Sequence, residues 1–203
     1  MATSKSNRRP KNSTIISGLY VYPDIISSEQ ENELIELIDS NIWKENRTKS
    51  RKIQIFGPYH NQKWKIIPNK YTEHPEYSLK ALNYIHDKFK NINNIKQTIL
   101  TDEVLEKMKN GKRCELFVNE YLPGSGLRPH FDQRKTYDDV IIGMSLCSPT
   151  IITFVQGKNK VKVPVPSRSI YIMSGVSRYR YKHSISPEDI TSRRISMTFR
   201  TIK

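Results

Sequence analysis

Residues 119–132 read NEYLPGSGLRPHFD, and this stretch decides the fold. Its first residues close a β-rich run, CELFVNEY at 114–121. PGSG at 123–126 then supplies a turn. Beyond the turn, His130 and Asp132 form an H-x-D pair. Residues two apart on a strand share a face, so both side chains point the same way. They suit two ligands of one metal; taken alone they also suit a loop histidine and a turn-forming aspartate.

Downstream, short β-rich runs follow one another: VIIGMSLC, TIITFVQ, VKVPV, RSIYIMS, RYRYKHSI and RRISMTFRTI. Turn signals such as SP, GKN and SGVS separate several of them, which implies a sandwich or barrel. His183, in RYRYKHSI, is available as a third ligand. Two histidines and one carboxylate on one face of a metal leave its other positions open, as in non-haem Fe(II) oxygenases.

The last run sorts its residues by face. Arg194, Ser196, Thr198 and Arg200 occupy one side, and Ile195, Met197 and Phe199 the other. If the apolar side packs on helices, the arginines point inward, where they need an anion. A dicarboxylate would meet that need, since a guanidinium grips a carboxylate through two parallel hydrogen bonds. The alternative is an exposed strand with solvated arginines. Asn119 and Tyr121 also share a face, opposite Cys114, Leu116 and Val118. Their amide and phenol either bond a ligand or close a network around buried water.

The first half is helical in pattern. After the β-rich run at 15–22, Ser28 and Glu31 have capping-box spacing, and Leu34, Ile35, Leu37 and Ile38 recur at helical intervals, predicting a helix over 28–39. Residues 51–56 alternate as a strand ending at Gly57-Pro58, while 57–76 show no period and read as a long loop within a lid over about 50–77. Leu79, Leu82, Ile85 and Phe89 predict a second helix, and Val104, Leu105 and Met108 a short third. The expected organisation is a disordered basic tail at 1–13 and a single α+β domain over 14–203, with its β half at 114–203.

Composition narrows the partners. The 203 residues are 36% hydrophobic and 27% charged, as in a folded globular chain. The net charge of +14 favours polyanions, although a chain rich in Lys, Asn and Ile also arises from AT-biased coding. No apolar run is long enough to span a bilayer, and the N-terminus lacks the apolar core of a secretory signal. With Cys114 and Cys147 as its two cysteines, the chain is expected in a reducing compartment, cytoplasm or nucleus, not secreted, away from membranes and monomeric.

Taken together, N-x-Y-x-P-G-x-G-x-x-x-H-x-D, S-L, G-x-S-R-Y-x-x-x-H and R-x-S-x-T-F-R closely resemble the AlkB family of Fe(II)/2-oxoglutarate dioxygenases. GLYVYPDIISSEQENELIELID and RKIQIFGPYH look like the family's opening segments, so the resemblance covers about residues 15–203. It implies a double-stranded β-helix (jelly roll) with supporting N-terminal helices. It also implies Fe(II) held by His130, Asp132 and His183, with 2-oxoglutarate held by Arg194 and lined by Arg200, Asn119 and Tyr121. The implied chemistry couples decarboxylation of 2-oxoglutarate by O2 to hydroxylation of a substrate C–H bond. Hydroxylated N-methyl groups then leave as formaldehyde.

Within the family, HFDQRKTYDD and SRYRYKHSIS are most similar to the oxygenase domain of the eukaryotic tRNA wobble-uridine hydroxylase. No RNA-recognition or methyltransferase module is expected before residue 15 or after residue 203. Arg134 stands where bacterial repair members carry an acidic, base-contacting residue, Cys147 replaces the usual glycine after Ser-Leu, and Tyr181 a common Trp. The expected substrate is a modified nucleic-acid base, in tRNA-like or single-stranded RNA before DNA; the alternative is a protein side chain. Tyr59, His60, Trp64 and Tyr71 among lysines suit base stacking, and Trp64 and Tyr71 equally suit packing of the lid onto the barrel; Arg134, Tyr137, Arg178 and Tyr179 are candidates for the active-site mouth.

Overall fold

Helix α1, Ser28–Asp39, starts where a serine satisfies its first free amides. The cap is Ser27, one residue before the expected Ser28: its hydroxyl accepts from the Gln30 amide at 3.2 Å, and the Gln30 side chain accepts from the Ser27 amide at 2.9 Å. The structure, a computed structural model, describes residues 16–61, 63, 65–90 and 99–203. The basic stretch at 1–13 and Trp64 lie outside the described residues.

In chain order, β1 (Leu19–Tyr22) precedes α1. Strands β2 (Lys44–Glu45), β3 (Lys52–His60) and β4 (Ile66–Thr72) follow, then helices α2 (Glu76–Lys90) and α3 (Asp102–Lys109). The β half carries β5 (Cys114–Tyr121), β6 (Leu127–His130), β7 (Tyr137–Leu146), β8 (Thr150–Gln156), β9 (Asn159–Val165) and β10 (Ser169–Met173). Helix α4 (Gly175–Arg180), β11 (Lys182–Ile185) and β12 (Arg194–Ile202) complete it.

Two antiparallel sheets stack as in a jelly roll. The larger has the order β1-β10-β7-β12-β5-β3-β2, with β4 added beside β3; the smaller has the order β6-β11-β8-β9. One face of the larger sheet buries Leu116, Val118, Met144, Ile195, Met197 and Phe199 against Leu34 and Ile38 of α1, Leu82 and Ile85 of α2, and Met108 of α3. Truncating a side chain such as Leu34 to alanine there costs about 2–5 kcal/mol. Tyr121, Ile141 and Tyr171 on the other face meet Ile152, Phe154, Val163 and Ile185 of the smaller sheet. The layers therefore run helices, larger sheet, smaller sheet.

Two segments differ from their sequence-based expectation. Residues 57–76 are not a long loop: β3 continues through Gly57 and Pro58 to His60 and pairs with β4 (Gly57↔Thr72, Pro58↔Tyr71). Gly57 makes this possible, at φ +96 and so close to β5 that a Cβ would sit 2.1 Å from the Cys114 carbonyl oxygen. Nor is RYRYKHSI one strand. Its first three residues finish α4, whose start is tied by the Ser174 amide donating to Ser177 Oγ at 3.2 Å.

Candidate active site

The smaller sheet brings together the residues expected to hold iron. In the β6–β11 pairing His183 lies directly opposite His130. The two rings stand 4.2 Å apart, centroid to centroid, and Asp132 follows just beyond the end of β6. Ligand atoms of His130, Asp132 and His183 all fall within 4.8 Å of one another. The Arg128 carbonyl accepts from His130 Nδ1–H at 2.9 Å, which leaves Nε2 free to ligate. Burial lowers the His183 pKa to about 4, so its imidazole is neutral. Its 3.6 Å approach to Asp132 Oδ2 is thus ligand proximity rather than an ion pair.

Asp132 is buried, which raises its carboxyl pKa, but the guanidinium of Arg200 overrides this and holds it well below the ordinary range. Arg200 Nη1 donates to Asp132 Oδ1 at 2.5 Å, and Nη2 donates to Glu115. Glu115 also faces His60 Nε2 and accepts from the Tyr137 hydroxyl, each at 2.9 Å. One buried chain of polar contacts therefore links His60 on the hairpin to the Asp132 carboxylate. Burial alone would push Glu115 up; Arg200 holds it below the usual value.

Arg194 lies fully buried, on the face of β12 whose Ser196, Thr198 and Arg200 line the cleft. Ser145 Oγ accepts from its Nε at 3.0 Å, and the Tyr121 ring centroid is 5.4 Å from its guanidinium carbon. Among the described residues neither terminal nitrogen has a hydrogen-bond partner. Two buried donors left open in parallel match a carboxylate, as the donor set of the triad matches Fe(II). Beside them, Tyr171 presses on Gly143, where any Cβ would come within 2.1 Å of the ring. Asn119 accepts from Arg51 Nε at 2.7 Å and, with Tyr121, lines the same cleft of about 1400 Å³.

The mouth residues separate into those that face solvent and those that do not. Tyr59 is exposed beside Lys70, Arg134 is exposed with its guanidinium 3.6 Å from the Phe131 ring centroid, and Tyr179 is half-buried on α4. Arg178 is a correction. It is buried and donates to the carbonyls of Asp132 and Gln133, at 3.0 Å each, so it clamps the chain behind the iron pair instead of meeting substrate. Tyr137 is 1% exposed yet lines the cleft, its hydroxyl donating to Glu115 at 2.9 Å. Glu115 went unread in the sequence, although it alternates with Phe117, Asn119 and Tyr121 and must share their inward face.

Residues 18–200 match the family model of the 2OG-Fe(II) oxygenase superfamily, and the chain belongs to that superfamily. A mimivirus protein described as uncharacterized protein L905 is 32% identical over 96% of this chain and 88% of its own length. The Xenopus tropicalis tRNA (carboxymethyluridine(34)-5-O)-methyltransferase alkbh8 is 30% identical over 84% of this chain, which spans 25% of that relative. Among solved structures, OsALKBH1 superimposes with a TM-score of 0.60 at 14% identity, covering 91% of this chain and 98% of that one.

Within the superfamily the chain is AlkB-like, an Fe(II)/2-oxoglutarate-dependent dioxygenase. Fe(II), with 2-oxoglutarate and O2, supplies the oxidation that places an oxygen atom on a substrate C–H bond. The chain's own groups position and shield that chemistry. His130, Asp132 and His183 would hold the metal, Arg200 fixes the Asp132 carboxylate, and Arg194 would take the distal carboxylate of the cosubstrate.

Proposed function

We propose that this enzyme hydroxylates or oxidatively demethylates modified nucleic-acid bases, with single-stranded or tRNA-like RNA preferred over DNA. The observation that carries the reading is the cleft itself. It holds the triad, has room for a base, and is rimmed by Arg47, Arg51 and Arg128 with the apolar Ile55 and Leu122. Cations near an apolar rim suit a base drawn out of its strand with its phosphates outside. The tRNA-modifying relative and a Caenorhabditis elegans relative named DNA N6-methyl adenine demethylase support nucleic acid as the substrate class. For an N-methyl base, the hydroxylated methyl group leaves as formaldehyde and the ring nitrogen keeps the electron pair.

The test is succinate formation with panels of modified RNA and DNA oligonucleotides and of peptides, with products read by mass spectrometry. Turnover coupled to an oligonucleotide, and lost in His130→Ala, is expected. Coupling to peptides alone would replace this reading with a protein side-chain hydroxylase.

A further inference from the structure

The smaller sheet has a second face, turned away from the core. Inward go Val161, Val163, Phe154 and Ile152, paired as Phe154↔Val161 and Ile152↔Val163. Alternation sends Lys160 and Lys162 outward. The register places Lys160 opposite Val155, and Val155 opposite Lys182. Extended by one step from His183↔His130, it places Lys182 beside Phe131. The Lys182 ammonium is 5.9 Å from the Phe131 ring centroid, and the Arg134 guanidinium lies over the same ring at 3.6 Å. One outward row therefore reads Lys160, Val155, Lys182, Phe131, with Lys162 in the next.

Charge on this face is uncompensated. None of β6, β8, β9 or β11 carries an aspartate or glutamate. The ion pairs among the described residues lie elsewhere, and none involves Arg134, Lys160, Lys162 or Lys182. On the opposite side of the molecule α1 alone carries Glu29, Glu31, Glu33, Glu36 and Asp39, and no lysine or arginine. The helical layer also carries lysines, but Lys80, Lys90, Lys107 and Lys109 of α2 and α3 each pair with a carboxylate. The row also leads somewhere, because Phe131, Val155 and Lys160 line the cleft that holds His130 and Asp132.

We infer that the outer face of the smaller sheet is a second docking surface for the substrate, a track for the phosphates of the single strand flanking the base in the cleft. This rests on the nucleic-acid reading above. Lysines two apart on a strand stand about 7 Å apart, and Lys160 and Lys182, two strands apart, about 10 Å. That spacing lets each meet a different phosphate while Phe131, backed by Arg134, offers a ring for a neighbouring base.

The experiment compares the Fe(II)-loaded protein with a K160S/K162S/K182S variant, measuring affinity for a 12-nucleotide and a 3-nucleotide RNA over a salt series. A K88S/K90S/K109S variant of the same charge change, on the helical side, serves as control, and melting temperatures verify folding. The expected result is at least a tenfold loss for the 12-mer at low salt, with a salt slope smaller by about 2, the value for three lost contacts on a single strand. The 3-mer loses clearly less affinity than the 12-mer. Equal losses in the control variant, an unchanged slope, or equal competition by a polyglutamate peptide would overturn the surface. Binding of the 12-mer unaltered by the variant rejects only this face; failure of the wild-type protein to bind either RNA rejects the nucleic-acid reading as well.

Discussion

Arg194 and Ser145 meet at 3.0 Å in the buried interior, and that bond holds the guanidinium by Nε while both terminal nitrogens have no hydrogen-bond partner among the described residues. A buried cation without an anion is costly, and burial lowers the Arg194 pKa accordingly. Its proposed role is to receive the distal carboxylate of 2-oxoglutarate. Hydrogen bonds to charged groups contribute about 1.5–3 kcal/mol each, so Arg194→Ala should raise the 2-oxoglutarate KM by about 10–100-fold or more. Ser145→Ala should raise it less. Initial-rate kinetics over a cosubstrate series decides; an unchanged KM in Arg194→Ala removes the assignment.

Glu115 neutralises the outer half of Arg200, whose inner half holds Asp132. Removing one member of a buried charge pair costs about 3–5 kcal/mol. Glu115→Ala should lower unfolding stability by that order and weaken Fe(II) binding, because Arg200, which orients Asp132, loses its second anchor. Denaturant titration and metal-binding calorimetry report the two effects separately. Wild-type metal affinity in a folded Glu115→Ala protein would show that Asp132 is held without Glu115.

Gly143→Ala should be disruptive out of proportion to one methyl group. The new Cβ would meet the Tyr171 ring at 2.1 Å, and that ring lines the cleft proposed to take the cosubstrate. Overpacking of this kind costs about 1–3 kcal/mol. A lower melting temperature with weaker 2-oxoglutarate binding is expected, and Tyr171→Phe in the same background should recover little, since the ring itself is in the way. Wild-type melting and binding would count against it.

His74 predicts a pH effect away from the iron. It is wedged between the Cys114 carbonyl, 2.8 Å from Nε2, and the Ser78 hydroxyl, 2.9 Å from Nδ1. Burial lowers its pKa below the ordinary imidazole value of 6.5. The unfolded chain then binds the proton more readily than the folded one, so stability is full above about pH 6.5 and declines as pH falls from there toward the depressed folded value. His74→Gln should flatten this decline. Urea midpoints of both metal-loaded proteins at pH 7.5 and 5.5 measure it; parallel declines would exclude His74 as the source.

How legible the chain was depended on whether spacing alone carried the information. α1 was readable at its full range because Leu34 and Ile38 repeat at helical intervals, and β12 because its polar and apolar residues alternate without a break. The triad was readable because H-x-D and a later histidine survive as spacing. The β3–β4 hairpin was not: along β4 exposure changes in blocks, Ile66 and Ile67 half-buried, Pro68 to Lys70 exposed, Tyr71 and Thr72 half-buried, so no two-residue period marks the strand. α4 was hidden because Tyr and Arg alternate in RYRYK as they would in a strand, while its helix start depends on Ser174 and Ser177. The burial of Arg178 and Tyr137 depends on partners 45 and 22 residues away in sequence, which no local pattern records.

The cross-strand placement of His130 and His183 has a mechanical consequence. β6 is only four residues long and forms the edge of its sheet. A metal gripping both imidazoles acts as a rivet through that edge. Stripping it with a chelator should let residues 122–136 exchange their amide hydrogens faster while the helical layer stays protected, so that scarcity of iron would first be felt as an unfastened border of the barrel.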